Sequence, residues 1–223
     1  NNDQDGYFWY TIRAWTNGYR SQLVDYGIAN SKAELLQRTI NAQIPFEGGG
    51  TATPQILLID SGGPRWFEIY QLAQSDGRIK PTKGASTQQV SMAQERIQKT
   101  HNVVLWLIDT EQSKDALHRL IHDPDKARWL PHKLVADDDQ YADQMASEAK
   151  MFDPQTGKEE WKPLPGQEKN NHLLDCEHQQ TAAAWRFGMG IPPTPEKAEQ
   201  SKHQPSESAN EPRKWVDRNG SWL

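Results

Sequence analysis

Residues 55–63, QILLIDSGG, constrain the fold more than any other stretch. The four consecutive apolar residues Ile56 to Ile59 are too few for a helix and read as a short buried strand. That strand closes on Asp60, and Ser61, Gly62 and Gly63 turn the chain. Trp66, Ile69, Tyr70 and Ala73 then recur at helical spacing. A buried strand leading through a glycine turn into a helix is a unit of an open α/β sheet, where ligands bind outside the carboxyl ends of the strands. Asp60 therefore stands where chemistry is done. On spacing alone, capping the next helix is the commoner role for an acid at that place.

Other stretches supply the partners of this strand. Residues 7–15, YFWYTIRAW, and 21–28, SQLVDYGI, predict two strands joined at Asn17-Gly18, a strong hairpin signal. Residues 1–6, NNDQDG, have turn composition, and a turn opening onto a hairpin implies a strand ahead of Asn1. SKAE at residues 31–34 matches a capping box and starts a helix expected to run through Leu35, Leu36, Ile40 and Ala42. Residues 45–53 read as a loop, 78–84 as a short strand with a basic end, and 85–101 show no clear pattern. A strand at 101–109, a helix at 110–122 with Leu117, Leu120 and Ile121 on its apolar face, and a polar helix at 137–150 follow. A small hairpin at 151–162 and a last helix at 171–187 complete the pattern. Strands and helices alternate after an antiparallel start, which predicts an α/β fold with a mixed sheet and helices packed on it.

From Ile191 the composition changes to Pro, Glu, Gln, Ser and Lys, so a domain over 1–189 is expected to carry a disordered tail over 190–223. The tail ends in RKWVDRNGSWL. Trp215 and Trp222 beside Arg213, Lys214 and Arg218 look like a short docking peptide on a flexible tether.

Charge and composition exclude some functions. A net charge of -5 over 223 residues is not that of a basic nucleic-acid binder. DNA remains a possible substrate, because a metal site needs carboxylates and the bound metals then attract phosphate. No apolar run reaches the ~18 residues of a membrane helix. One cysteine rules out a disulfide framework and fits a reducing compartment. No GxxxxGK[ST] phosphate loop occurs, so the sequence holds no ATPase motor of that type.

Asp175, in LLDCE on the last helix, can pack across the sheet toward the end of the Asp60 strand. Converging carboxylates of this kind hold a pair of divalent cations roughly 3.5–4 Å apart for in-line attack on phosphodiesters. Mg²⁺ and Mn²⁺ suit such all-oxygen sites. Other candidates carry less. His118 and His122 share a helix face at i,i+4 but lack further zinc ligands, so a solvated face is the better reading. Cys176 among Leu and Ala reads as a small packed residue. Asp137, Asp138 and Asp139 read as partners of a helix N-terminus. Lys83 and Arg65 are either phosphate contacts or ordinary surface cations.

VDYG, LLIDSGG, KPTKGAS, a strand ending IDT with Lys114 just beyond, and NHLLDCEHQQTAAAW occur in this order over residues 7–187. Together they resemble the nuclease domain of the large terminase subunit of tailed phages, in the lambda-like branch. The resemblance implies an RNase H-like fold and a metal-dependent endonuclease that cuts concatemeric double-stranded DNA during packaging. It makes Asp60 and Asp175 the second and third catalytic, metal-holding acids, with Mg²⁺ or Mn²⁺ in a two-metal site. The first acid of the family falls ahead of Asn1 or at the extreme amino end of the sequence. Lys83 becomes a DNA contact. The implied partners are DNA, the portal protein (through Trp215 and Trp222), the small terminase subunit and the ATPase domain of the same full-length protein, all in the host cytoplasm. His172 departs from the family pattern, which has Glu there. Two alternatives stay open: a portal or DNA docking module with little activity, and a resolvase-type nuclease on the same fold.

Overall fold

The computed structural model describes residues 6–45, 48–85, 91–123, 129–130, 139–155 and 157–190. Expectations for Asp137, Asp138 and the tail beyond residue 190, Trp215 and Trp222 included, lie outside them.

The chain opens with a long hairpin. β1 (Phe8–Thr16) and β2 (Arg20–Ala29) pair antiparallel from Phe8↔Ala29 to Thr16↔Arg20. Gly18, at φ 80°, takes the left-handed turn conformation that an L side chain resists. A bulge between Ile12 and Arg13 shifts the register once. β9 (Trp129–Leu130) adds to β2 in parallel.

Ser31 caps α1 (Lys32–Arg38), its hydroxyl accepting from the Glu34 N–H at 3.1 Å. The helix ends earlier than its apolar spacing suggests. Thr39 leaves helical geometry, and its hydroxyl donates back to the Leu35 carbonyl. Ile40 is nevertheless buried, and its carbonyl accepts from Arg78. The loop expected at 45–53 contains a minimal hairpin, β3 (Ile44–Pro45) with β4 (Thr51–Ala52).

A second sheet has the order β5-β6-β8-β7. β5 (Leu57–Asp60), β6 (Ile79–Gly84) and β8 (Val103–Ile108) are parallel; β7 (Ala93–Gln98) runs antiparallel to β8. β7 falls in the stretch without a sequence pattern. It is the outer strand, so Gln94, Glu95 and Arg96 face solvent and its strand form rests on the ladder to β8. α2 (Trp66–Ser75) connects β5 to β6, and α3 (Thr110–Ile121) follows β8. Leu117 and Leu120 of α3 are buried as expected, but Ile121 is 38% exposed.

The helix expected over 137–150 stops early. α4 (Asp139–Met145) ends, and Glu148 already begins β10 (Glu148–Asp153), which pairs with β11 (Lys158–Pro163). Buried Ser147 makes the break: its hydroxyl donates to the Gln144 carbonyl and its own carbonyl accepts from Leu164 N–H.

α5 (His172–Arg186) lies across both sheets. Its Ala182 and Ala183 pack with Trp106, Ile108, Ile56 and Leu58, and its Leu173 packs with Trp9, Leu23 and Tyr141. On the other side, Phe8, Tyr10 and Ile12 of β1 share a core with Ile59, Ile69, Ile79 and Leu35. The two sheets thus have the same helix below and a common core above, a mixed α/β layer of RNase H-like type. Each fully buried Ile, Leu or Phe contributes about 1.5–3 kcal/mol. Arg13 and Glu177 bond at 2.7 Å with both side chains fully buried, and Tyr141 donates to the same carboxylate at 3.1 Å. Such a pair adds little net stability, but it fixes how α5 sits on β1. Burial, and then the Glu177 charge, push the Tyr141 phenol far up.

Candidate active site

β-strand alternation decides which side chains meet α5. Ile56 and Leu58 pack against Ala182 and Ala183, whereas Leu57 and Ile59 join the opposite core. Asp60, in phase with Ile56 and Leu58, is on the α5 face at the carboxyl end of β5. It pairs in register with Thr82 of β6, whose hydroxyl donates to Gln179 Oε1 of α5 at 2.9 Å. Gln179 is one helical turn from Asp175. The chain Asp60–Thr82–Gln179–Asp175 therefore sets both acids at the carboxyl ends of the parallel strands.

Asp60 does not cap α2. Its Oδ1 accepts from the Gly62 N–H at 2.9 Å, and Arg65 is the residue that precedes the helix. The acid is half-buried, held by its own turn. Gly62 leaves room there, since a Cβ would lie 3.2 Å from Asp60 Oδ1 and press on the carboxylate.

Asp175 is held by one residue of α3 and one of its own helix. Lys114 Nζ is 3.6 Å from its Oδ1, and His178 Nε2 is 3.5 Å from the same oxygen. Ser113 donates to the Asp109 carbonyl at 2.8 Å, leaving its oxygen to accept from His178 Nδ1 at 2.9 Å. Asp109 itself caps α3, accepting from Gln112 N–H. Burial pushes the Asp175 carboxyl upward. The His178 hydrogen bond and charge, with the Lys114 ammonium, outweigh it and hold the group below the usual carboxylate range. Lys114 also donates to Glu148 Oε2 at 2.6 Å, and Asn171 donates to Glu148 Oε1 at 2.8 Å.

Sequence reading missed Glu148, because it falls in the stretch read as a helix, and it marked Lys114 without a partner. The remaining candidates divide. Lys83 is half-buried at the end of β6, out of phase with Thr82, so it faces away from α5. Arg65 bonds Glu68 at 3.3 Å and lies 4.6 Å above the Phe8 ring. His172 stacks on Trp9 at 5.5 Å. His118 and His122 stack on each other at 4.1 Å, with His118 against Trp161. Cys176 is packed against β1, its thiol 3.6 Å from the Trp9 carbonyl, and burial raises its pKa. That is the opposite of an activated nucleophile.

Among the described residues, no three His, Cys, Asp or Glu side chains come together in a metal-holding group. Asp60 and Asp175 offer hard oxygen donors of the kind Mg²⁺ and Mn²⁺ take, but two carboxylates do not complete a two-metal site. No described helix is long and apolar enough to cross a membrane.

The family described as terminase large subunit gpA, endonuclease domain, matches residues 3–194. The chain belongs to that family. It is thus a nuclease domain of phage DNA packaging, as the order of its motifs led us to expect. No curated protein and no solved structure matches it.

Proposed function

We propose that the domain is a divalent-metal-dependent endonuclease that cuts concatemeric double-stranded DNA by phosphodiester hydrolysis. The observation that carries this reading is the chain of contacts from Asp60 through Thr82 and Gln179 to Asp175. Asp60 and Asp175 would hold the cations, together with a further acid that the family implies. The chemistry such cations would supply there is activation of a water and stabilisation of the leaving 3′-oxygen. The protein's own part is to aim two acids and keep them ionised. The Gly62 N–H holds the Asp60 carboxylate in its turn. Lys114 and His178 do the same for Asp175 and keep its proton off. Lys83, at the same strand ends but on the other face, would meet the phosphates of flanking DNA. The sequence carries no motif resembling a recognition helix or a zinc finger, and cutting is proposed to depend little on base sequence. The tail, through Trp215 and Trp222, is proposed to dock on the portal, and the small terminase subunit and the ATPase domain are the other expected partners in the host cytoplasm.

The test is plasmid digestion with Mg²⁺ or Mn²⁺, comparing residues 1–223 with a version extended upstream. Cleavage should require the cation and be stronger in the extended version. Cutting that survives chelation would overturn the metal reading.

A further inference from the structure

Gln179 occupies the gap between the two acids. Its Oε1 accepts from the Thr82 hydroxyl at 2.9 Å, and Thr82 stands in register with Asp60. Asp175 lies one turn back along α5. A cavity of about 350 Å³ between the two sheets opens beside both Asp60 and Gln179.

Thr82 decides how the Gln179 amide is turned. Thr82 is 1% exposed, so its hydroxyl has no water to bond instead. The Thr82 carbonyl accepts from both the N–H and the hydroxyl of fully buried Ser61, at 2.8 and 2.9 Å. The end of β6 and the Asp60 turn are thereby locked together, and the Thr82 hydroxyl is left to hold Gln179. With its oxygen bound there, the amide presents its nitrogen away from Thr82. Among the described residues, Gln179 Nε2 has no hydrogen-bond partner, and that nitrogen is open to solvent.

The neighbouring amide behaves differently. Gln180 Nε2 donates to the Thr11 carbonyl at 3.0 Å and to the Thr11 hydroxyl at 2.7 Å, a tie between α5 and β1. Gln179 is tied through its acceptor and keeps both donors free. Neither acid takes them: Asp60 Oδ1 accepts from the Gly62 N–H, and Asp175 Oδ1 faces Lys114 and His178. A lysine in place of Gln179 would pair with the acids, as Lys114 does with Asp175 at 3.6 Å, and compete with a bound cation. A neutral amide leaves both carboxylates free and still offers N–H groups beside them. The partner that suits such donors is an anionic oxygen brought to the site with its cations.

We infer that Gln179 binds the scissile phosphodiester: its Nε2 donates to a non-bridging phosphate oxygen, and Thr82 is the positioning residue that holds the amide in that orientation. The inference deepens the nuclease reading and rests on it. Water attacks phosphorus and the 3′-oxygen leaves with the electron pair of its P–O bond. The non-bridging oxygens carry the negative charge through that step, so loss of the donor is felt in kcat as well as in binding. Gln179 holds no metal in this assignment, which separates its role from those of Asp60 and Asp175.

The test measures three quantities on the upstream-extended version used above: cleavage of plasmid DNA, Mn²⁺ affinity by calorimetry, and affinity for a short duplex in Ca²⁺ by fluorescence anisotropy. Gln179→Met should lower kcat by roughly 10- to 100-fold, the effect of one hydrogen bond to a charged group. Duplex affinity in Ca²⁺ should weaken, and Mn²⁺ affinity should stay at the wild-type value. Gln179→Glu keeps the acceptor for Thr82 and removes both donors, so it should lose at least as much cleavage. Thr82→Val should lose less than Gln179→Met, and Thr82→Ser should restore the rate. Wild-type cleavage by Gln179→Met or Gln179→Glu would overturn the proposal and leave the nuclease reading intact. A fall in Mn²⁺ affinity that matches the fall in rate of Gln179→Met would also overturn it, since the amide would then support the acids and not touch the phosphate. A wild-type chain that neither cuts nor binds DNA with these cations fails the nuclease reading itself, and this assignment with it.

Discussion

At the scale of residues, the site is a contest among charges. Asp60 uses one oxygen on its own turn, and an amide at the same position keeps an acceptor there. Asp60→Asn should abolish Mn²⁺-dependent cleavage and change unfolding free energy by less than about 1 kcal/mol. Undiminished cleavage by that variant would place the chemistry elsewhere. Lys114 is different, because its partner Glu148 has a side chain only 4% exposed. Lys114→Met leaves that carboxylate buried without its cation, which costs about 3–5 kcal/mol. A urea titration showing a loss below about 1 kcal/mol would mean the pair does not hold the hairpin to α3. Asp175 gives a pH signature. Its folded pKa is depressed, so its stabilising contribution is present above the unfolded value and is lost as pH falls through the folded one. With metal chelated, wild type should melt above Asp175→Asn near neutral pH, and the gap should close below about pH 4. A gap independent of pH would show that the carboxylate charge is not what Lys114 and His178 engage.

At the scale of elements, the turn after β5 couples backbone to chemistry. Gly62 is not there for a positive φ; it gives room, since a Cβ would press on the carboxylate it bonds. Gly62→Ala should therefore reduce cleavage by 10-fold or more, about 1.4 kcal/mol in the barrier, while circular dichroism and melting stay close to wild type. Full activity in that variant would show that Asp60 tolerates displacement. α3 and α5 act together: one caps itself through Asp109 and presents Ser113 and Lys114, and the other presents His178 and Asp175 to them. Neither helix makes a site alone.

At the scale of the whole molecule, α5 ties two sheets into one layer, and the groove between them runs to the Asp60 end. The tail is separate from this machinery in composition. Deleting residues 205–223 should leave nuclease activity on free DNA intact and weaken binding to the portal, measured by calorimetry with purified portal. Equal affinity with and without the tail would end the docking role.

What the sequence determined by itself is what local physics encodes. The β1–β2 hairpin follows from Asn17-Gly18, α1 from its capping box, and the β5–turn–α2 unit from an apolar run, a glycine pair and a change of period. β8 with α3, and α5, were legible for the same reason, and the order of five motifs carried the family. Tertiary structure decided the rest. β7 is polar and becomes a strand only because β8 offers a ladder. α4 stops where Ser147 turns inward and β10 finds β11. α1 stops where Thr39 bonds back and Arg78 takes the next carbonyl. The Lys114–Glu148–Asn171 support of Asp175, and the face on which Lys83 lies, depend on pairings more than twenty residues apart. Such pairings leave no periodic trace, because the free energy that selects them is released only when the sheets and α5 come together.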